Sequence, residues 1–166
     1  MRNAGRFFIF VAVVAVVAGT LGLTGCNAEA PPRPPVPGDE IDLEVKGAKL
    51  RIEVVFDDLS RTVGMKERKP ETFLEDRGML FIFPRKEVRG FWMRNTEIPL
   101  SVAFIDDEGK ILQIKDMKPK DESRTTSKHQ VRYALEVNKG WFSRAGVSPG
   151  DSFENFRESV RRFQAR

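Results

Sequence analysis

Alternating apolar and charged residues restrict the fold of this chain more than any other feature of its sequence. Apolar residues occupy every second position over 43–45 and over 50–54, with charged residues between them and a turn at 46–48. Such alternation predicts a β-hairpin with one buried and one solvated face. Residues 78–83 and 102–105 are apolar at consecutive positions, which is typical of strands covered on both faces.

Helical patterns are short and few. Asp57, Asp58 or Ser60 would cap a helix that ends near Glu67, and residues 140–145 predict a single helical turn. A further strand is predicted over 131–138, where apolar and polar residues alternate again. We therefore predict a mainly-β fold, a compact single-domain sandwich or barrel with one or two short helices and a C-terminal helix.

The C-terminal helix is predicted over 155–166 from a stripe of apolar side chains. Past residue 151, apolar residues recur at spacings of three, four and three, which places them on one side of a helix: Phe153, Phe156, Val160 and Phe163. We expect this stripe to pack against the sheet. The alternative is a helix that lies on a membrane surface, because arginines at 157, 161, 162 and 166 supply the positive charge typical of such helices.

The first 25 residues have the organisation of a secretory signal peptide. Arg2 and Arg6 precede an unbroken apolar run over 7–18, and small and apolar residues follow up to Cys26. The alternative is an uncleaved transmembrane anchor over 7–23, a stretch of about 17 residues at the lower limit for spanning a bilayer.

The residues before Cys26 favour a lipid anchor. The sequence Leu-Thr-Gly-Cys over 23–26 resembles the lipobox of bacterial lipoproteins, in which the chain is cut before the cysteine and its sulfur carries a diacylglyceryl group. This resemblance implies lipid attachment at Cys26. Two or more acyl chains anchor a protein stably, since each buried methylene contributes about 0.8 kcal/mol.

A tether and a nearly neutral domain are predicted after the anchor. Five of the ten prolines lie in 26–38, which favours an extended spacer. The folded β domain is expected over 39–154. Removing residues 1–25 leaves 26 basic and 24 acidic residues, so the formal net charge falls from +4 to +2. That balance and the secretory signal exclude a nucleic-acid partner.

The reactive side chains are scarce. One cysteine and one histidine exclude an internal disulfide and any cluster of Cys or His ligands, so we predict no metal and no cofactor. His129 lies in a polar stretch, 117–130, that we expect to be an irregular loop. The nearby serines and threonines lack a nucleophile elbow. Two carboxylates cannot be selected among 24 acids, and we assign no catalytic residue.

Four sequence motifs identify a resemblance to a known family. Residues 78–83 read Gly-Met-Leu-Phe-Ile-Phe, 91–100 read Phe-Trp-Met-Arg-Asn-Thr-Glu-Ile-Pro-Leu, 133–136 read Tyr-Ala-Leu-Glu, and 150–151 read Gly-Asp. In this order they resemble the family called "domain of unknown function 192" (DUF192) over about 41–153. The resemblance implies a compact, mainly-β fold, and it implies no established activity.

We predict ligand-binding residues in and around the second motif. Trp92 and Asn95, with Arg68 and Glu136, are candidates, since an exposed indole beside amide and guanidinium groups suits a sugar ring or a planar ligand. The alternative places Trp92 in the core and uses Asn95 to satisfy backbone groups in a turn. Arg68 and Glu136 form either a pair within the site or a plain ion pair.

The predicted function is that of a lipid-anchored cell-envelope protein. We expect a non-enzymatic binding or accessory module for an envelope glycan or protein, held in the outer membrane and facing the periplasm if the cell is Gram-negative, because Asn27 rather than Asp follows Cys26. One alternative is an envelope polysaccharide hydrolase with a carboxylate pair. Another is a structural or assembly factor that docks through its C-terminal helix.

Overall fold

The computed structural model describes residues 36–164. The predicted signal peptide, the lipid attachment at Cys26 and nearly all of the predicted tether lie outside these residues. Within them no helix is both long and apolar enough to cross a membrane.

Six strands form one open mixed sheet. The strands are β1 (Glu40–Val45), β2 (Ala48–Val55), β3 (Arg77–Phe91), β4 (Leu100–Ile105), β5 (Ile111–Met117) and β6 (Thr125–Asn138), in the spatial order β1-β2-β3-β6-β4-β5. β2 and β3 are parallel, and the other neighbours are antiparallel. The prediction of a mainly-β single domain with few short helices is confirmed.

The predicted hairpin is β1 and β2. Val45 lies opposite Ala48, so the connection is the two residues Lys46 and Gly47, both with positive φ (51° and 76°). A two-residue turn of this kind matches the twist of the two strands, and glycine adopts it without steric cost.

Three short α-helices accompany the sheet: α1 (Asp58–Val63), α2 (Trp141–Arg144) and α3 (Phe156–Val160). The Asp57 side chain caps α1 by accepting a hydrogen bond from the Ser60 backbone N–H at 2.9 Å. α1 stops before the predicted end near Glu67, because Gly64 takes a φ of +52° that is incompatible with a continuing helix. Single 3-10 turns cover Pro70–Thr72 and Arg161–Phe163.

The C-terminal segment covers one face of the sheet, which we call the helix face. α2, α3 and the turn after α3 place buried side chains there, and the apolar stripe packs on the sheet as predicted: Phe153, Phe156, Val160 and Phe163. Phe156 meets the ring of Tyr133 edge to face at 5.0 Å. The stripe is therefore covered by the sheet.

The opposite face, which we call the cavity face, is covered by loops and by α1. Met79, Phe81, Val102 and other residues of the central strands point to this side. Residues from the segments before and after β3, and from the last position of β3, cover them: Met65, Phe73, Phe91, Met93 and Ile98. Leu80 and Ile82 of β3 point to the helix face instead. Both faces of β4, and of β3 over 78–82, are thus buried, which explains their consecutive apolar residues.

The polar stretch at 117–130 is not an irregular loop throughout. β5 ends at Met117, but β6 already begins at Thr125, where it pairs with Phe91 of β3. The prediction was wrong for the second half of the stretch, because this end of β6 is largely solvent-exposed and its side chains therefore show no apolar alternation. His129 lies exposed on that strand.

Candidate ligand-binding cavity

A cavity of about 500 Å³ opens on the cavity face between α1 and the middle of β3. Met65, Phe81 and Phe91 supply apolar walls, Glu136 of β6 lines it, and Trp92 lies at its margin. Its volume lies within the range of about 300–1,000 Å³ that is usual for small-molecule sites.

An irregularity in β3 shapes the mouth of this cavity. Ile82 pairs with Tyr133 and Glu87 pairs with Val131, so β3 has four residues, 83–86, where β6 has Arg132 alone. Pro84 lies inside this bulge, and its missing N–H prevents regular pairing there. Bulges of this kind redirect side chains beside functional sites.

Glu136 is the buried acid of the cavity. The register of β6 sets it between Met79 of β3 and Val102 of β4, and it is only 4% exposed. None of residues 36–164 forms a hydrogen bond or ion pair with its carboxyl group. Burial raises the pKa of Glu136 to about 8, so the group is protonated at neutral pH. A neutral carboxyl can both donate and accept a hydrogen bond.

Four basic side chains line the cavity around the apolar walls: Arg61, Lys66, Arg85 and Arg89. Among residues 36–164, only two carboxylates besides Glu136 lie in the lining, and both are paired. Asp58 lies 2.5 Å from Arg61, and Glu87 lies 3.0 Å from Arg89 and 3.3 Å from Arg85. The lining therefore carries a net positive charge when Glu136 is neutral.

Arg89 has an unused hydrogen-bond donor. Its guanidinium lies 4.0 Å from the centre of the Phe83 ring, and its buried Nε–H has no partner among residues 36–164. Burial lowers the pKa of Arg89, while the charge of Glu87 acts in the opposite direction. Buried donors in folded proteins are nearly always satisfied, so an unpaired N–H at this position is unusual.

Trp92 is exposed, unlike its neighbours. Its side chain is 41% exposed, while Phe91 and Met93 on either side are buried. Lys66 Nζ and Arg94 Cζ lie 5.9 and 5.7 Å from the centre of its ring. The indole is thus partly exposed beside the cavity, within a basic surrounding, whereas Trp141 is buried in the core.

The structure divides the four predicted site residues into two pairs. Trp92 and Glu136 line the cavity. Arg68 and Asn95 line a neighbouring open cleft instead. Arg68 Nη2 lies 2.6 Å from Glu53 Oε2, so its partner is Glu53 and not Glu136. Asn95 has a φ of 55°, and its backbone carbonyl accepts a hydrogen bond from the N–H of Glu67.

The sequence analysis missed the basic residues of the cavity. Arg61 lies on α1 and Lys66 follows the end of that helix, whereas Arg85 and Arg89 lie at least 19 residues later on β3. The basic residues at 85–89 were the one sequence signal for this part of the cavity. The same residue types are common at the solvent-exposed end of a strand, so the signal was not specific. Only the packing of α1 against the β3 bulge brings the four together.

Comparison with known proteins connects the chain to one family and to solved relatives. The model of the DUF192 family, described as "Uncharacterized ACR", matches residues 41–155. The chain is similar to a crystal structure of a candidate transcription regulator from Sinorhizobium meliloti 1021, with 34% identity over 69% of this chain and 91% of that one and a TM-score of 0.64. It is also similar to a protein of unknown function from Novosphingobium aromaticivorans, with 28% identity over 69% and 84% and a TM-score of 0.65. No curated protein matches the chain.

Proposed function

This chain belongs to the DUF192 family, and we propose that it is a lipid-anchored cell-envelope member of that family that binds an envelope glycan fragment in the cavity between α1 and β3. The observation that carries the binding proposal is the carboxyl group of Glu136, which is buried without a partner in a cavity beside an exposed tryptophan.

The chemistry of the cavity suits a sugar. The exposed face of Trp92 offers a surface for the C–H face of a sugar ring, and the neutral Glu136 carboxyl offers both a donor and an acceptor to a hydroxyl group. Leaving this carboxyl buried and unpaired costs free energy. A ligand hydroxyl would recover that cost, which supports binding as the role of the group.

The lipid anchor is proposed from the sequence. A positively charged start, an apolar run and a lipobox-like end place Cys26 as the attachment residue, with the proline-rich 26–38 as a spacer. Cys26→Ser should move the protein from the membrane fraction to the soluble fraction or leave its signal uncleaved, and should abolish labelling with radioactive palmitate. The exposed-strand variant His129→Ala is the control. Unchanged extraction and labelling of Cys26→Ser would refute the anchor.

The binding role is tested with the full chain in detergent micelles. The Trp141→Phe background leaves Trp92 as the only tryptophan, so a panel of envelope glycan fragments can be titrated against its fluorescence. We expect a saturable change with at least one fragment, and its loss in Glu136→Leu, with thermal unfolding measured to show that the variant folds. Fluorescence that stays constant across the panel would refute glycan binding.

A hydrolase is the second candidate, and one observation favours it. An acid whose pKa is raised by burial is suited to protonating a leaving group. Glycoside hydrolysis usually needs a second carboxylate about 5–10 Å away, and Asp58 and Glu87 in the lining are both paired with arginines. Release of shorter sugars from a bound fragment, lost in Glu136→Gln, would establish this activity in place of simple binding.

A further inference from the structure

We infer that the cavity selects an acidic sugar, a hydroxyl-bearing ring with one carboxylate or phosphate group, whose hydroxyl end lies on Glu136 and whose anionic end lies among Arg61, Lys66 and Arg89. This inference rests on the proposed function and names the ligand class of the same cavity. Three properties of the lining support it, one for each part of the ligand.

The buried end of the cavity accepts an uncharged polar group. Glu136 is 4% exposed and has no partner among residues 36–164, and Met79, Phe81 and Val102 beside it are apolar. An anionic group placed there would lose its hydration without meeting a positive partner, which is costly. A hydroxyl group, in contrast, can donate to the carbonyl oxygen of the carboxyl and accept from its O–H.

The mouth of the cavity accepts a negative charge. Four cations face two paired carboxylates there, so two positive charges are not balanced within the lining. Arg89 also has a buried Nε–H without a partner among the described residues. Hydrogen bonds from a guanidinium to an anionic oxygen are about twice as strong as those between neutral groups. A carboxylate or a phosphate would balance this positive charge.

The wall between these ends is aromatic. Phe81 and Phe91 meet edge to face at 5.0 Å within the cavity, and Trp92 exposes its ring at the margin. Lys66 Nζ lies 5.9 Å from the centre of the indole ring and donates to the Thr62 carbonyl at 2.6 Å, so one cation is held beside the stacking surface. A ring with an apolar face and an acidic substituent therefore matches both features at once.

The test compares three probes that share one ring: D-glucose, D-glucuronate and D-glucose 6-phosphate. They are titrated into the full chain in a neutral detergent, in the Trp141→Phe background, with Trp92 fluorescence as the readout. We expect at least one acidic probe to bind tenfold or more tightly than glucose, and raising NaCl from 50 to 500 mM to weaken the acidic probe but not glucose. Comparing glucuronate with glucose 6-phosphate shows whether the cavity prefers a carboxylate or a phosphate as the anionic group.

Variants locate the charge recognition. Arg89→Gln and Lys66→Gln should each remove most of the preference for the acidic probe over glucose. Arg157→Gln is the matched control, since Arg157 pairs with Glu108 outside the cavity at 2.8 Å. Lys66→Gln keeps the test decisive if Arg89→Gln does not fold, because Lys66 forms no ion pair in the described part of the chain and Arg89 packs on Phe83.

The outcomes separate this inference from the proposed function. Equal binding of glucose and the acidic probes, or a preference that persists in both variants, would overturn the acidic-sugar inference and leave the binding function intact. If none of the three probes changed the Trp92 fluorescence while a neutral fragment of the envelope panel still bound, the acidic-sugar inference would also be overturned. If neither the probes nor any fragment of the panel changed the Trp92 fluorescence, the binding function itself would be overturned.

Discussion

The helix face and the cavity face of the sheet are built from the same strands but are covered differently. Aromatic residues from the C-terminal segment seal the helix face. On the cavity face, α1 and the loops leave a space of about 500 Å³ and bury the acid Glu136. One face is thus covered by aromatic side chains, while the other, although also largely apolar, keeps an open space and buries an unpaired acid.

The strands themselves allow this division because side chains alternate along them. In β6, Tyr133 and Leu135 point to the helix face, and Ala134 and Glu136 point to the cavity face. A shift of register by one residue would bring Glu136 into the aromatic core of the other face. The same strand thus supplies a core residue and a site residue at adjacent positions.

The largest effect on stability is expected when an aromatic side chain of the helix face is removed. Phe156→Ala should lower the free energy of unfolding by about 3–5 kcal/mol, because the 1% exposed ring packs against Tyr133 and Phe153 and leaves a void. Urea unfolding followed by circular dichroism measures it. Leu59→Ala on α1 is the control, since Leu59 is 74% exposed and should change stability by less than about 0.5 kcal/mol. Similar values for the two variants would contradict the contrast.

A smaller effect, of opposite sign, is expected at the cavity face. The folded protein holds the Glu136 proton up to about pH 8, whereas the unfolded chain releases it near the ordinary value of 4.5. Stability should therefore fall as the pH rises from 4.5 to 8 and then level off. Glu136→Gln cannot ionise, so it should be more stable than the natural chain by on the order of 3 kcal/mol at pH 7 and about equal to it at pH 4.

Unfolding in urea at pH 4, 7 and 9 measures this difference. The exposed Glu71 provides the matched control, because Glu71→Gln makes the same chemical change at a side chain that lies in solvent. A Glu136→Gln variant that is destabilised equally at pH 4 and pH 9 would show that the carboxyl is paired in the folded protein.

The smallest effect on stability is expected at Trp92. Because its side chain is 41% exposed, Trp92→Ala should cost less than about 1 kcal/mol, whereas Trp141→Ala, in the helix face and 7% exposed, should cost about 3–5 kcal/mol. Thermal unfolding of both variants sharpens the contrast between the two faces. A large loss of stability for Trp92→Ala would assign the indole to the core and weaken the binding proposal.

Local patterns predicted the elements well where the sequence has a clear period of apolar residues. A period of two residues predicted the strand over 131–138 and the two strands that the 46–48 turn connects. A period of about 3.6 residues predicted the C-terminal stripe. The same reasoning failed for residues 125–130, where side chains are largely exposed and no period remains. Backbone hydrogen bonds to β3 alone make that segment a strand.

The candidate site was predictable only in part. Trp92 and Glu136 came from motifs shared with the family, and both line the cavity. Arg68 and Asn95 came from the same reasoning, but their neighbours in space are Glu53 and Glu67. Whether Arg68 lies near Glu136 depends on the path of the segment between α1 and β3. Nothing in the local sequence of that segment encodes this path.

The sequence by itself determined the strand and helix periods, the predicted anchor at Cys26 and the family. Tertiary structure alone decided that Arg61 of α1 and Arg89 of β3 line one cavity with Glu136 of β6. It also decided that Glu136 is protonated at neutral pH. The physical reason is that burial and charge proximity arise from long-range strand pairing, which brings residues more than 40 positions apart into one low-dielectric space.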